Sequence, residues 1–354
     1  MKAAKPPVTV SLNFSPSFYH KHLGINYGEE YYFDPRYRAG VECAENRFLY
    51  EILGRYGVGD PHPTPSPSLF IQPIDLLKLT QGAQLFCPPD ATLESRGHPW
   101  AGLTVGQISM IDPQSAANHP FVDSLLVQYR KLQALYGEKA DLFGIKTGLM
   151  NVHAPFTTAH QLYGEELFLL LVDDPEAARL IFHKIRDVYQ AIFSRLAREL
   201  GVELPRQLQL GDCSASLLSP TLYRETVLPI NQAMAAGAEA CGYHSCGPSS
   251  HLLAEFACLP HVTSIELGAG TDLELAVRCL PHIEMRPLVD PVLMLAAQPD
   301  TVRETVTGII SACAPASSTT LCAWSFDGET PFRNVETLYQ TVEESNKRLE
   351  SKND

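Results

Sequence analysis

The chain has 354 residues, a length that fits one α/β barrel and does not require a second domain. Hydrophobic residues make up 45% of it and charged residues 19%, which is typical of a globular protein and excludes an intrinsically disordered one. The formal net charge of -13 argues against nucleic acid or an anionic membrane surface as the main partner.

Targeting signals and disulfide patterns are missing from the sequence. No stretch approaches the ~20 consecutive apolar residues of a membrane-spanning helix, and the first residues lack the apolar region of a signal peptide. The nine cysteines are an odd number scattered over the chain, which favours reduced thiols over a disulfide framework. We therefore expect a cytoplasmic protein without a membrane partner; an oligomer is compatible with these features.

Residues 1–70 are predicted to form an N-terminal, loop-rich extension that carries the first strand. Residues 8–14 alternate and are rich in β-branched side chains, which predicts that strand. Residues 15–38 are aromatic and polar without a clear period, so we expect a lid, a substrate pocket, a docking rim or a structural cover over one end of a barrel. The side chains named for a lid or pocket are Tyr31, Tyr32, Phe33, Arg36, Tyr37 and Arg38. A helix is predicted over 41–56, and the proline-rich residues 59–67 exclude regular structure.

Residues 71–354 are predicted to form the remainder of the barrel, because strand and helix signals alternate along them. A short helix is expected over 74–79, and a long helix begins at Asp173 and Asp174 and ends at Gly201. Strands two to eight are predicted at residues 83–87, 143–150, 207–210, 240–244, 262–267, 283–289 and 319–324. Eight strands, each followed by a helix or a long crossover, predict a single-domain (β/α)8 TIM barrel.

A doubly wound open sheet is the alternative architecture. The usual nucleotide-binding signals of such a sheet are missing, since no G-x-G-x-x-G follows the first strand and the sequence contains no Walker motif.

Chemically capable side chains follow several of the predicted strands. In a barrel, residues at the C-terminal ends of the strands line the active site. Those positions hold Asn151, His153, Asp212, His244, Cys246, Glu266, Arg286 and Asp290, with Cys322 near the end of the last strand. We therefore expect these side chains to surround one mouth.

His244 and Cys246 are separated by one residue at the end of the fifth predicted strand. Because side chains alternate along a strand, the imidazole and the thiol point to the same side and can reach one metal ion. A catalytic zinc takes three protein ligands and keeps an open position, and Cys322 is the best candidate for the third. A buried histidine beside an inert cysteine is the alternative interpretation of this pair.

Six segments together resemble the uroporphyrinogen decarboxylase superfamily from about residue 72 to the C-terminus. They are Ala154-Pro-Phe-Thr-Thr-Ala-His-Gln-Leu-Tyr-Gly164, Leu169-Leu-Leu-Val-Asp-Asp-Pro-Glu176, Leu218-Ser-Pro-Thr-Leu-Tyr-Arg-Glu225, His244-Ser-Cys-Gly247, Val289-Asp-Pro291 and Thr330-Pro-Phe-Arg-Asn334. The resemblance implies a (β/α)8 barrel, in agreement with the strand count.

Within that superfamily, the chain is most similar to corrinoid-dependent methyltransferases of the methylcobamide:coenzyme M type. Their zinc ligands are a His-x-Cys pair and a distant cysteine, which correspond here to His244, Cys246 and Cys322, although Cys322 lies about two residues farther from Thr330-Pro331 than in those enzymes. The resemblance implies Zn²⁺ as cofactor, a methylcobamide presented by a partner corrinoid protein, and a small-molecule acceptor of the thiol type. A separate partner is needed because the chain has no D-x-H-x-x-G corrinoid signature.

The remaining strand-end residues are assigned roles around that zinc. Asp212 and Glu266 are expected as catalytic residues that give a further contact or support His244. Asn151, His153 and Arg286 are expected to bind the cofactor or an anionic acceptor.

Two alternatives of other classes stay open. One is a metal-independent decarboxylase acting on a tetrapyrrole or another acid, although the N-terminal region lacks the arginine-rich signature of those enzymes. The other is a non-catalytic barrel that only binds a corrinoid or tetrapyrrole.

Overall fold

Strands and helices alternate over residues 6–351, the part of the chain that the computed structural model describes. The strands are β1 (Thr9–Phe14), β2 (Ser68–Leu69), β3 (Gln84–Phe86), β4 (Glu94–Arg96), β5 (Asp141–Leu142), β6 (Leu149–His153), β7 (Gln207–Gly211), β8 (Ala240–Ser245), β9 (Val262–Leu267), β10 (Glu284–Pro287) and β11 (Ser318–Phe326). Seven of them form one curled parallel sheet in the order β1-β11-β10-β9-β8-β7-β6. This α/β architecture agrees in part with the predicted barrel.

The first and last strands of the chain are neighbours in this sheet, as they are when a barrel wraps around. The strand β2 pairs with β5 in a separate parallel ladder of two strands. Among residues 6–351, no backbone ladder joins β2 to the seven-stranded sheet or connects β1 with β6. The sheet is thus a curled half-barrel, consistent with the predicted fold.

Two predicted strands are placed differently. The prediction that residues 83–87 form the second barrel strand is wrong, because β3 pairs antiparallel with β4 outside the main sheet. Local alternation predicts extended backbone but carries no information about the partner strand. The third strand begins at Leu149, not at residue 143, since positive φ angles at Phe143, Gly144 and Gly148 interrupt the extended chain before it.

Helices fill most of the connections. They are α1 (Pro16–Leu23), α2 (Glu29–Phe33), α3 (Pro35–Leu53), α4 (Pro73–Thr80), α5 (Val105–Ser109), α6 (Pro113–Ala117), α7 (Pro120–Tyr136), α8 (Pro155–Tyr163), α9 (Glu166–Asp173), α10 (Pro175–Leu200), α11 (Pro220–Leu222), α12 (Leu228–Ala236), α13 (Leu253–Phe256), α14 (Leu273–Cys279), α15 (Pro291–Ala296), α16 (Pro299–Ala312) and α17 (Phe332–Glu350). A π-helical turn, Tyr223–Val227, joins α11 to α12.

The aromatic segment 15–38 is helical, which the sequence did not predict. It contains α1, α2 and the start of α3. α1 and α2 are short, and α1 and α3 begin with signals that a search for apolar periodicity passes over: Pro16 and Pro35 occupy first turns, and Asp34 accepts a hydrogen bond from the backbone of Arg36.

The helix predicted after Asp174 is confirmed as α10. The Asp174 side chain accepts a hydrogen bond from the backbone nitrogen of Ala177, Pro175 occupies the first turn, and Gly201 ends the helix with a left-handed φ of 72°. Its buried face packs into the larger apolar cluster of the core.

A second apolar cluster joins the two ends of the described chain. It combines residues of β1 and α1 with residues of β11 and α17, among them Phe18, Phe326 and Leu338. No helix within residues 6–351 has both the length and the apolar character needed to cross a bilayer.

Candidate functional site

Five residues form one row across the C-terminal ends of adjacent strands. The strand register pairs His153 of β6 with Gly211 of β7, and Gly211 with His244 of β8. It continues from His244 to Glu266 of β9, and from Glu266 to Arg286 of β10. The register therefore brings four predicted site residues to the same level of the sheet, with a glycine between the two imidazoles.

A cavity of about 560 Å³ opens above this row. Its walls include most of the residues that sequence analysis predicted for the site: Asn151, His153, His244, Cys246, Glu266, Arg286 and Cys322. Asp212 and Asp290 are not among the lining residues. The position of the cavity at the strand ends is that of ligand sites in α/β barrels.

The side chains of Cys213, His244 and Cys246 form the most compact group of possible metal ligands among the described residues. Their donor atoms all lie within 4.8 Å of one another. Hydrogen bonds from Cys213 and His244 lower the pKa of the Cys246 thiol. Burial by itself would lower the pKa of His244, but its contacts with Cys246 and Glu266 outweigh burial and raise this pKa to about 9.

Glu266 connects this group to the opposite wall of the cavity. One carboxylate oxygen, Oε2, lies 2.9 Å from Nδ1 of His244, and the other, Oε1, accepts a hydrogen bond of 2.9 Å from Nε of Arg286. The carboxylate is nearly buried. Because it fixes Nδ1 as the protonated nitrogen, Nε2 of His244 is the atom free to bind a metal.

Cys322 lies in the wall of the same cavity but outside the compact group. Its side chain is fully buried on β11, where burial, with a smaller contribution from Glu266, raises the pKa of the thiol to about 12. Its Sγ therefore stays protonated in this arrangement. The structure brings His244 and Cys246 together and places Cys213, not Cys322, closest to them.

Asp212 lies behind the site in a buried hydrogen-bond network. Its carboxylate accepts hydrogen bonds from Thr157 at 2.8 Å, from Asn231 at 2.9 Å and from Tyr243 at 3.1 Å. Its backbone nitrogen donates to the carbonyl oxygen of His244 over 2.7 Å. The aspartate thus holds the ends of β7 and β8 together, and burial raises its pKa.

His153 and Asn151 both contribute to the cavity wall. Burial, assisted by the nearby positive charge of His244, lowers the pKa of His153 to about 4. His153 is therefore neutral at pH 7, and its Nδ1 is buried without a hydrogen-bond partner among residues 6–351. Arg286, by contrast, is paired with Glu266 and lies 3.6 Å from Glu284.

Three lining or neighbouring residues were missed by sequence reasoning. Cys213 follows Asp212 at the end of β7, a position that the strand-end rule should have flagged. Trp324 stacks over His244 with ring centroids 6.3 Å apart, and its indole nitrogen donates to Ser11. Gln209 of β7 lies two residues before Gly211 and also lines the cavity, and no sequence motif pointed to it.

The donor set fits a zinc ion. Imidazole nitrogen and thiolate sulfur are ligands that zinc prefers, and tetrahedral bonding places such atoms roughly 3–4 Å apart. The three donor atoms, within 4.8 Å of one another, approach that spacing. Three protein ligands also leave the open position of a catalytic site.

One solved structure supports the fold. A methyltransferase from Methanosarcina mazei superposes with a TM-score of 0.64 at 14% identity, covering 98% of this chain and 95% of that one. A B12-independent methionine synthase from Shewanella sp. W3-18-1 gives a TM-score of 0.46 at 10% identity, with coverage of 97% and 99%. No curated protein matches the sequence.

A match to a protein-family model identifies the family of this chain. The model of uroporphyrinogen decarboxylase (URO-D) matches residues 134–345, more than half of the chain. This stretch contains α10, the strands β6 to β11 and all of the candidate metal ligands. The chain belongs to the uroporphyrinogen decarboxylase family.

Proposed function

We propose that the protein is a zinc-dependent methyltransferase that moves a methyl group from a methylated corrinoid protein to a thiol-type acceptor. The observation that carries this proposal is the convergence of His244 and Cys246 with a further thiol at the mouth of the sheet. The structural likeness to the Methanosarcina mazei methyltransferase is compatible with it. A zinc site of three histidines favours the activation of water. Two thiolate ligands instead cancel the charge of the zinc ion, so that the sulfur of a bound acceptor stays electron-rich.

The proposed zinc ligands are His244, Cys246 and one more cysteine. The family resemblance assigns the third position to Cys322, and the arrangement of donor atoms favours Cys213. Both thiols lie close to the site, Cys322 in the cavity wall and Cys213 beside Cys246. Zinc bound here would hold an acceptor thiol as its thiolate at neutral pH.

The surrounding residues prepare the site for that chemistry. Glu266 orients His244, and Arg286 limits the negative charge that Glu266 adds to the site. His153 is neutral and contributes an uncharged imidazole to the wall of the cavity. Trp324 lies nearly parallel to the His244 ring and adds an apolar surface to the cavity wall.

The corrinoid would approach from the open side of the cavity. This chain carries no corrinoid signature of its own, so a separate protein must present the methylcobamide. The helices α1 and α2 contribute to the walls of a neighbouring cavity that shares Gln72 with this one, and they are candidates for the docking rim.

Metal analysis tests the proposal directly. Protein purified without chelator should contain close to one zinc per chain, and His244→Ala or Cys246→Ser should lose it. Cys213→Ser and Cys322→Ser, measured in parallel, identify the third ligand as the one whose loss weakens zinc binding. Cys258→Ser, at an exposed position far from the cavity, is the matched control. Native protein that neither contains nor binds zinc would contradict the proposal.

A further inference from the structure

A second cavity, of about 440 Å³, lies beside the first. Residues at the ends of β1 and β2 line it together with α3, and Gln72 contributes to the walls of both cavities. The two cavities therefore share one wall at the same end of the sheet. The zinc-site proposal uses none of the other residues of this second cavity.

Arg38 is the unusual residue of this second cavity. It lines the cavity, yet its side chain is only 4% exposed. None of its three guanidinium nitrogens makes a hydrogen bond within the described part of the chain. Its nearest acidic partner, Glu42, lies 3.4 Å from Nε, outside the alignment that a hydrogen bond requires. A buried guanidinium with five unused N–H donors is costly unless something supplies acceptors.

The carboxylates of the cavity are already engaged. Glu42 Oε2 accepts a hydrogen bond of 2.7 Å from the backbone nitrogen of Ser66. Glu45 accepts a short hydrogen bond from the hydroxyl of Tyr27. Among the described residues of this cavity, the charged group that lacks hydrogen-bond partners is therefore the guanidinium of Arg38, and this points to an anionic ligand.

The remaining walls suit an organic body. Tyr19, Tyr27, Tyr31 and Tyr32 line the cavity, and successive rings contact each other edge to face at centroid distances of 4.9 Å for Tyr27 and Tyr31 and 5.1 Å for Tyr31 and Tyr32. Aromatic walls bury apolar or flat groups while their hydroxyls remain available as donors.

We propose that this cavity binds a small organic oxyanion, whose charged group pairs with Arg38 and whose apolar or aromatic body packs against the tyrosines. A guanidinium matches carboxylates, sulfonates and phosphonates with two parallel hydrogen bonds. Because the guanidinium nitrogens are screened from solvent, binding requires a small movement of Arg38 or of a neighbouring tyrosine.

The place of the cavity suggests what the ligand does. Gln72 separates it from the cavity that contains the candidate metal ligands. An acceptor anchored on Arg38 could extend past Gln72 and present its reactive end to that site. This role rests on the proposed function, whereas binding of the anion itself does not.

Isothermal titration calorimetry on the metal-stripped full chain tests the inference with acetate, benzoate, benzenesulfonate and phenylphosphonate, and with benzyl alcohol as a neutral analogue. We expect saturable binding of at least one of the aromatic anions and none of benzyl alcohol. Arg38→Met should weaken that binding by ~10-fold or more, Arg38→Lys less, and Arg36→Met, at an exposed position on the same helix, not at all. The relative affinities of the anions identify which oxyanion the site prefers.

Thermal unfolding with and without added anion separates this role from a structural one. Because Arg38→Met also removes the ion pair with Glu42, its Tm should fall by itself, whereas added anion should raise the Tm of the native protein and not that of Arg38→Met. The inference is overturned if none of the four anions binds, whatever the Tm values of the two Arg38 variants. It is also overturned if Arg38→Met binds the anions as tightly as the native protein does. If the protein purified without chelator neither contains nor binds zinc but the chain binds an anion, only the proposed function is contradicted; if the protein binds zinc but none of the anions, only this inference is contradicted.

Discussion

Glu266 is shared between His244 and Arg286, so the neutral substitution Glu266→Gln tests its part in the proposed site. We expect zinc affinity to fall by about 10–100-fold, because an amide orients the imidazole less firmly and lowers its basicity as a ligand. Competition with a fluorescent chelator measures the change. Glu284→Gln is the control, since Glu284 lies near Arg286 but does not contact His244. Equal losses in both variants would contradict this role.

The buried carboxyl of Glu45 should make the stability of the protein depend on pH. Burial raises the pKa of this carboxyl from its ordinary 4.5 to about 7, despite the hydrogen bond from Tyr27. Between these values the folded protein keeps a proton that the unfolded chain releases, so this contribution to stability is present at low pH and lost as the pH rises through about 7. The loss amounts to at most about 3 kcal/mol.

The substitution Glu45→Gln removes the charge and keeps a hydrogen-bonding partner for Tyr27. We expect the free energy of unfolding to rise at pH 8 and to change much less at pH 5. Guanidinium denaturation at both pH values measures it. Glu51→Gln, at an exposed position on the same helix, should show no such difference between the two pH values. A gain that is the same at pH 5 and pH 8 would show that the carboxyl is not buried as described.

At the scale of the elements, the loop after β9 lies against the segment that carries Cys246. A Cβ at Gly268 would lie 2.0 Å from the carbonyl oxygen of Cys246, so Gly268→Ala must push the two loops apart. We expect a loss of about 1–3 kcal/mol of stability together with weaker zinc binding. Gly308→Ala, in α16 with no atom within 4 Å of the added carbon, should instead stabilise by about 0.5–1 kcal/mol. Urea denaturation compares them; a stable, zinc-binding Gly268→Ala would refute the close approach.

At the scale of the whole molecule, Asn346 connects the last helix, α17, to Val8, the residue immediately before β1. Its side chain accepts a hydrogen bond of 2.8 Å from the backbone nitrogen of Val8 and donates one of 2.9 Å to the Val8 carbonyl. Asn346→Ala should cost about 1–3 kcal/mol, because two partly buried backbone groups lose their partner. The urea midpoint measures this loss against Lys347→Ala, an exposed neighbour on the same helix. Equal midpoints would show that the chain ends are held by apolar packing alone.

Sequence alone determined the features that depend on local chemistry. Seven of the eight predicted strands lie in the curled sheet, because alternation and β-branched residues act over a few positions. The helix α10 was predicted with its cap, proline and terminal glycine, and the His244/Cys246 pair was recognised from its spacing. The family membership followed from segments that are contiguous in sequence.

Tertiary structure alone decided which distant residues meet. The register between parallel strands aligned His153, His244 and Glu266, and no spacing in the sequence encodes that register. The same packing placed Cys213 beside Cys246 and left Arg38 buried without a hydrogen-bonding partner in the described part of the chain. Such contacts depend on how helices and strands pack across many residues, whereas sequence patterns report only the preferences of neighbouring positions.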